Sequence, residues 1–287
     1  MCSPLVMARV QAELSRRGLL RAGLAAGAAA AVGTVASRRS AMAQATPVAT
    51  PVAMPSLAGF SAMVDLTHVV SPAFPVYPGT GQMVIESART IANDGYYSNK
   101  LTFNEHTGTH VDAPAHFVAD GLTAELIPIE RLIAPLAVID ISSRAASDPD
   151  AQLTPDDILA WESANGALPS GAFVAMYSGW ETRLPDAEAF INVDSDGVQH
   201  YPGIHPDAAM LLVDERDIVG VGVDTLSQDF GASVDFATHV TILGAGKYGV
   251  EGIANLGSLP PSGATVIIGG PKHVAASGGP SRLFALY

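Results

Sequence analysis

His106-Thr107-Gly108-Thr109-His110-Val111-Asp112-Ala113-Pro114-Ala115-His116-Phe117 gathers three imidazoles and one carboxylate within eleven residues. Gly108 and Pro114 interrupt any continuous helix through them, glycine by its backbone entropy and proline by its missing donor. The stretch therefore reads as a loop folded around a cation. Neutral imidazole nitrogen and carboxylate oxygen are the ligand set of Zn²⁺, Mn²⁺ or a related divalent ion, and three such side chains leave coordination positions open to water. An open position points to catalysis rather than structure. The bland alternative is a polar loop with surface histidines.

The flanks predict how this loop is carried. Met83 to Ile91 and Tyr97 to Glu105 read as strands, the second alternating Leu101, Phe103 and Glu105 directly into His106, so that the loop hangs from a strand end. Upstream, Met63 to Leu66 reads as a first strand and Ser71 to Gly79 as a proline-pinned loop that places Tyr77 over a pocket or packs it as an ordinary aromatic. Downstream, Ile133 to Ile141 is a buried-strand candidate. Thr154-Pro155-Asp156-Asp157 supplies an N-cap, a proline at the first helical position and first-turn acids, with Gly166 as the stop, predicting a helix over Pro155 to Asn165. Phe173 to Tyr177 returns as a strand into Ser178-Gly179-Trp180, a turn that presents the tryptophan to a ligand. Pro206 opens a helix to about Val213, and Asp217 to Val223 is a strand ending at Asp224-Thr225-Leu226-Ser227. His239 belongs to a buried helix or its first turns, with Glu251 twelve residues on, and the strands Thr265 to Ile268 and Leu283 to Leu286 close the chain. Strands with intervening helical segments, no internal repeat and no second composition regime predict one mixed α/β domain over 59–287.

Residues 1–43 read as a signal peptide of the twin-arginine type: Ser15-Arg16-Arg17-Gly18-Leu19-Leu20, an Ala/Gly-rich run from Ala22 to Ala36, and a small-residue cleavage pattern at Ala41-Met42-Ala43. Export to the periplasm or beyond is expected, with Gln44 as the mature N-terminus and no stable membrane association after cleavage. An uncleaved anchor and a wrong start site are the alternatives. Residues 44–58, rich in proline, alanine and threonine, read as a linker. Of 15 basic and 28 acidic residues, cleavage removes six basic and one acidic, leaving nine against twenty-seven and a net charge of −18. So acidic a surface repels phosphate backbones, which disfavours nucleic acid, and attracts cations. The one cysteine, Cys2, precedes the signal, so the mature chain has neither disulfide nor thiolate ligand.

The motif His106-x-Gly108-Thr109-His110-x-Asp112-x-Pro114-x-His116-Phe117 resembles the signature of the metal-dependent cyclase family, to which bacterial kynurenine formamidase and isatin hydrolase belong. Asp65-Leu66-Thr67-His68, Pro78-Gly79, Gly222-Val223-Asp224 and Gly278-Gly279-Pro280-Ser281-Arg282 extend the similarity over the whole expected mature domain. The resemblance implies a swivelling β/β/α fold, assembly into homo-dimers or tetramers, and hydrolysis of an amide carbonyl at one or two divalent ions, Zn or Mn. Carried over by position, it makes His106, His110 and Asp112 ligands of a first ion, Asp112, His239 and Glu251 of a second, and His116 the catalytic histidine beside them.

The expected substrate is a small aromatic amide, such as an aryl formamide or a lactam. Tyr77, Phe103 and Trp180 are candidates for its pocket, and Asp224 and Ser227 for support behind the ligands. Alternatives are a non-catalytic exported metal-binding protein, and a dehydratase or lactone-forming cyclase on the same scaffold. His68, His200, His205 and His273 are left as surface or structural.

Overall fold

The computed structural model describes residues 52–53 and 59–287. The expected signal peptide and most of the linker lie outside the described residues, although Val52–Ala53 within that linker forms a short strand. Ten strands make one mixed sheet in the spatial order β1 (Val52–Ala53), β2 (Ala62–Asp65), β14 (Arg282–Leu286), β12 (Ala264–Gly269), β6 (Ile133–Asp140), β8 (Ala172–Tyr177), β10 (Ile218–Val223), β11 (Tyr248–Glu251), β5 (His110–Asp112) and β13 (Gly278–Pro280). The central strands β6, β8, β10 and β11 are parallel to their neighbours within that set. Antiparallel pairings extend it on one side through β12, β14 and β2, and on the other through β5 and β13, while β7 (Gln152–Leu153) and β9 (Gly203–Ile204) form a separate parallel pair.

Side-chain alternation divides the interior into two cores. Along β8, Phe173 and Ala175 face one core and Val174 and Met176 the other. In the first core these residues meet Val64, Val111, Val250, Ile268 and Leu283 from other strands of the same sheet, so the sheet curls over its own apolar face. In the second they meet three helices, α1 (Pro155–Asn165), α2 (Pro206–Asp214) and α3 (Ala237–Gly244), through Ile158, Trp161, Ala208, Leu212 and Ile242. Strand layer, strand layer, helix layer is the β/β/α order that the family resemblance implies. Helix α1 begins and ends where its caps require: the Thr154 side chain accepts from Asp157 N, the Asp157 carboxylate accepts from Thr154 N at 2.8 Å, and Gly166 follows Asn165 with positive φ.

Among the described residues, 85–102 group as a compact unit. It comprises most of β3 (Val84–Arg89), paired with β4 (Ser98–Thr102), and the one-turn helix Ile91–Asp94 between them. Every residue of β3 is exposed. The expectation that a strand runs unbroken into His106 is corrected here, because β4 stops at Thr102 and the chain re-enters a strand only at His110. Among the described residues, no helix is long and apolar enough to cross a membrane.

His68, expected to be surface or structural, is 5% exposed, and neither ring nitrogen has a hydrogen-bond partner among the described residues. Its backbone N donates to Thr109 Oγ1 at 3.0 Å, which ties the segment after β2 to the stretch that leads into His110. Burial pushes its pKa down to about 4 against the attraction of Asp65. The unfolded chain therefore binds a proton near pH 6.5 that the folded chain resists until about pH 4, and stability falls as pH drops through that window. At about 1.4 kcal/mol per pKa unit the loss reaches about 3 kcal/mol. His68→Leu is expected to flatten the fall in urea midpoint between pH 7 and pH 4.5; an unchanged pH dependence would show that His68 carries none of it.

Candidate metal centre

The register of β5 assembles the site. His110 and Asp112, two residues apart, point to one face of the sheet, while Val111 between them is fully buried in the first core. Antiparallel β11 places Glu251 opposite His110, which brings its carboxylate to the same face. Both neighbours of Asp112 across the sheet are glycines, Gly249 on β11 and Gly278 on β13. A Cβ at Gly249 would fall 1.9 Å from Gln228 Nε2, and one at Gly278 would fall 2.8 Å from His106 Cε1. The missing side chains are the space that these two residues use to reach the carboxylate.

His239 arrives from the first turn of α3, and its orientation is set by Asp229. One oxygen of Asp229 accepts from Thr238 N at 2.8 Å, and the other accepts from His239 N at 3.2 Å and meets His239 Nδ1 at 2.5 Å. That leaves Nε2 turned inward, as expected of a ligating imidazole held by an outer carboxylate. His110 is held similarly, its Nδ1 lying 2.9 Å from Gly108 O. The turn that brings this carbonyl close needs positive φ at Gly108, where a Cβ would also strike Val70 at 2.2 Å.

The resulting geometry comprises two donor groups sharing Asp112: His106, His110 and Asp112, then Asp112, His239 and Glu251, with the ligand atoms of each within 4.8 Å of one another. His106 Nδ1 lies 2.7 Å and His110 Nε2 3.3 Å from Asp112 Oδ1. His239 Nε2 lies 3.4 Å from Asp112 Oδ2 and 3.1 Å from Glu251 Oε1, while Glu251 Oε2 lies 3.3 Å from His110 Nε2. Lone pairs approach so closely only with a proton or a cation between them.

The electrostatics agree. Burial would lower His110, yet Asp112 and Glu251 hold it up at about 10. His239 is likewise held well above its ordinary value, against burial, by Asp112, Asp229 and Glu251. Burial would raise Asp112, yet the facing imidazoles keep it well below the usual carboxylate range. His110 Nε2, buried and without a hydrogen-bond partner among the described residues, completes a donor set that fits a divalent cation.

His116 sits in the short turn Pro114–His116 at the rim, its ring stacked on His106 at 3.9 Å and edge-on to Phe117 at 4.8 Å. Desolvation by this packing outweighs the attraction of Asp112 and lowers its pKa, which favours the neutral, proton-accepting ring. A cavity of about 330 Å³ opens from His106, His110, His116, His239 and Glu251 between walls of Phe74, Tyr77, Phe117, Phe190, Leu226 and Phe236. Tyr77 and Ser227 are among its lining residues, and Ser227 Oγ accepts from Asp229 N at 3.2 Å.

Three expectations about its surroundings are corrected. Trp180 is buried and does not line this cavity; its Nε1 donates to Phe190 O at 2.8 Å, so it backs the wall rather than forming it. Phe103 is exposed and outside the lining. Asp224 touches no ligand side chain: fully buried, with its pKa raised by burial to about 7, it accepts from Ser178 N, Ser178 Oγ and Trp180 N and latches the end of β10 to that of β8. Sequence reasoning also missed Asp229, Gln228 and Phe236. Gln228 donates through Nε2 to Asp112 Oδ2 and through its backbone N to Glu251 Oε1, each at 2.9 Å. Asp229, ten residues before His239, and the aromatic before α3 were the signals available in the sequence.

A family model described as "Putative cyclase" matches residues 64–230. Isatin hydrolase of Roseibium aggregatum is 35% identical over 248 residues, covering 80% of this chain and 93% of the relative. Kynurenine formamidase of Salinibacter ruber is 27% identical over 223 residues, covering 77% and 95%. The crystal structure of an isatin hydrolase bound to the product analogue thioisatinate superposes with a TM-score of 0.75 at 34% identity, covering 78% of this chain and 92% of the other. The chain belongs to the cyclase family.

Proposed function

We propose that this protein hydrolyses an aromatic amide carbonyl, that of an aryl formamide or of a lactam such as isatin, with the residues around Asp112 holding one or two divalent ions, Zn²⁺ or Mn²⁺. The chain is an enzyme of its family, a metal-dependent hydrolase of C–N bonds. One observation carries the finer reading: His106, His110, His239 and Glu251, from two donor groups that share the buried carboxylate of Asp112, line an apolar, aromatic-walled cavity with His116 at its rim. An ion scavenger has no use for such walls. The activities named for the two relatives, isatin hydrolase and kynurenine formamidase, support amide carbonyls as the substrate class.

A divalent ion bound there supplies Lewis acidity, which lowers the pKa of water and polarises a carbonyl. The chain's own residues do the rest. Phe117, Phe236 and Tyr77 hold the aromatic ring and exclude bulk water. His116 takes a proton from water as the water oxygen attacks the amide carbon, and returns it to the nitrogen as the C–N bond breaks, giving a carboxylic acid and an amine.

The protein is exported by the twin-arginine route and acts in the periplasm or outside the cell. It works as a homo-dimer or tetramer. The paired strands support assembly, because they expose Val84 and Ile85 on β3 and Leu101 on β4, and a two-stranded ribbon is marginal in water until a second surface covers it.

His116→Ala is expected to keep its ions by elemental analysis while losing about 10²–10⁴-fold in turnover of isatin and N-formylkynurenine, whereas His110→Ala loses both ions and turnover. Equal metal loss in the two variants would make His116 a ligand instead, and a fully loaded parent that turns over no carbonyl substrate would leave the binding-protein alternative. N-terminal sequencing of the exported protein is expected to begin at Gln44; material still starting at Met1 would contradict cleavage.

A further inference from the structure

Each of the three imidazoles turned toward Asp112 is held from behind by a different kind of group. A backbone carbonyl holds His110 and the Asp229 carboxylate holds His239. His106 alone faces the site through Nδ1, and its Nε2 meets Ser277 Oγ at 3.0 Å, 171 residues away in sequence. That hydroxyl has one proton, and its surroundings decide where the proton points. Glu105 Oε2 lies 2.5 Å from Ser277 Oγ and also accepts from Ser277 N at 3.3 Å. The other oxygen, Oε1, meets His273 Nε2 at 2.8 Å, which fixes the carboxylate from the outside. An ionised carboxylate only accepts, so Ser277 donates to Glu105 and has only lone pairs left for His106. His106 must then carry a proton on Nε2, which leaves Nδ1 for a cation.

We infer that Glu105 and Ser277 are positioning residues that fix the tautomer and ring plane of His106 through one hydroxyl, and thereby set the ion affinity of the group His106, His110 and Asp112. The inference rests on the metal reading above and extends it to residues outside the ligand set. It also gives the segment before β14 a second role: Gly278 makes room for the His106 ring, and Ser277 beside it orients that ring. An outer partner of this kind typically contributes about 10–100-fold in metal affinity.

The test is Co²⁺ binding by the full mature chain, read by competition with a chelator and by the visible absorption of the bound ion. Ser277→Ala is expected to bind about 10–100-fold more weakly with a changed spectrum, and Ser277→Thr, which keeps the hydroxyl, to restore both. Glu105→Gln, whose amide can donate to Ser277 and reverse the relay, shifts both quantities in the same direction as Ser277→Ala and serves if that variant does not fold. In the Zn²⁺-loaded parent, nitrogen NMR of the imidazole is expected to show His106 protonated on Nε2 with Nδ1 on the metal. A parent that takes up Co²⁺ while Ser277→Ala and Glu105→Gln match it in affinity and spectrum overturns the relay alone. A Zn²⁺-loaded His106 with its proton on Nδ1 does the same. A parent that takes up no Co²⁺ overturns the metal reading beneath it.

Discussion

The centre depends on keeping the Asp112 carboxylate ionised in a position shielded from bulk solvent. Asp112 is fully buried, a position that ordinarily drives a carboxyl to its neutral form, and facing imidazoles keep it charged. Each oxygen faces its own histidines, His106 and His110 at Oδ1 and His239 at Oδ2, and Gln228 donates an amide hydrogen to the latter. One side chain is thus shared by two groups of donor atoms. The rest of the fold provides the rigidity that such an arrangement requires.

That rigidity comes from strand pairing more than from loop packing. The antiparallel register of β5 against β11 places His110 opposite Glu251, and the period of two along β5 sets Asp112 beside them. A one-residue slip would bury His110 and Asp112 in the apolar core and turn Val111 into the cavity. The fully buried contacts of Val111, Val250 and Phe173 oppose that slip. Fixing the floor in a sheet leaves the walls to loops: the proline-pinned segment with Phe74 and Tyr77, the turn with His116 and Phe117, and Phe236, which takes up a left-handed conformation at the start of α3.

Much of this was legible in the residues. The caps at Thr154 and Gly166 bound α1 because capping is local chemistry, and β6, β8 and β10 were found because central parallel strands are continuous apolar runs. The cluster of His106, His110 and Asp112 stood out because its types are rare together, and the placement of His239 and Glu251 beside it was to be expected only through the family resemblance. Less legible was what depends on partners distant in sequence. Trp180 looked like an exposed turn residue, yet its indole is buried against Phe190, and Asp224 looked like support for the site but serves a latch between two strand ends. The strand character of His110–Asp112 was hidden by Gly108 and Pro114 on either side, which signal a loop unless the pairing with β11 and β13 is known.

The shared carboxylate is tested most directly by Asp112→Asn, compared with the parent by Zn²⁺ titration calorimetry after metal removal. Asparagine keeps the size and can still meet Gln228, but offers one neutral oxygen in place of two charged ones. The account predicts that the parent binds Zn²⁺ tightly and that the variant, folded by circular dichroism, retains none through gel filtration, because both donor groups lose their common member. A variant that holds Zn²⁺ with the parent's stoichiometry and affinity would contradict it.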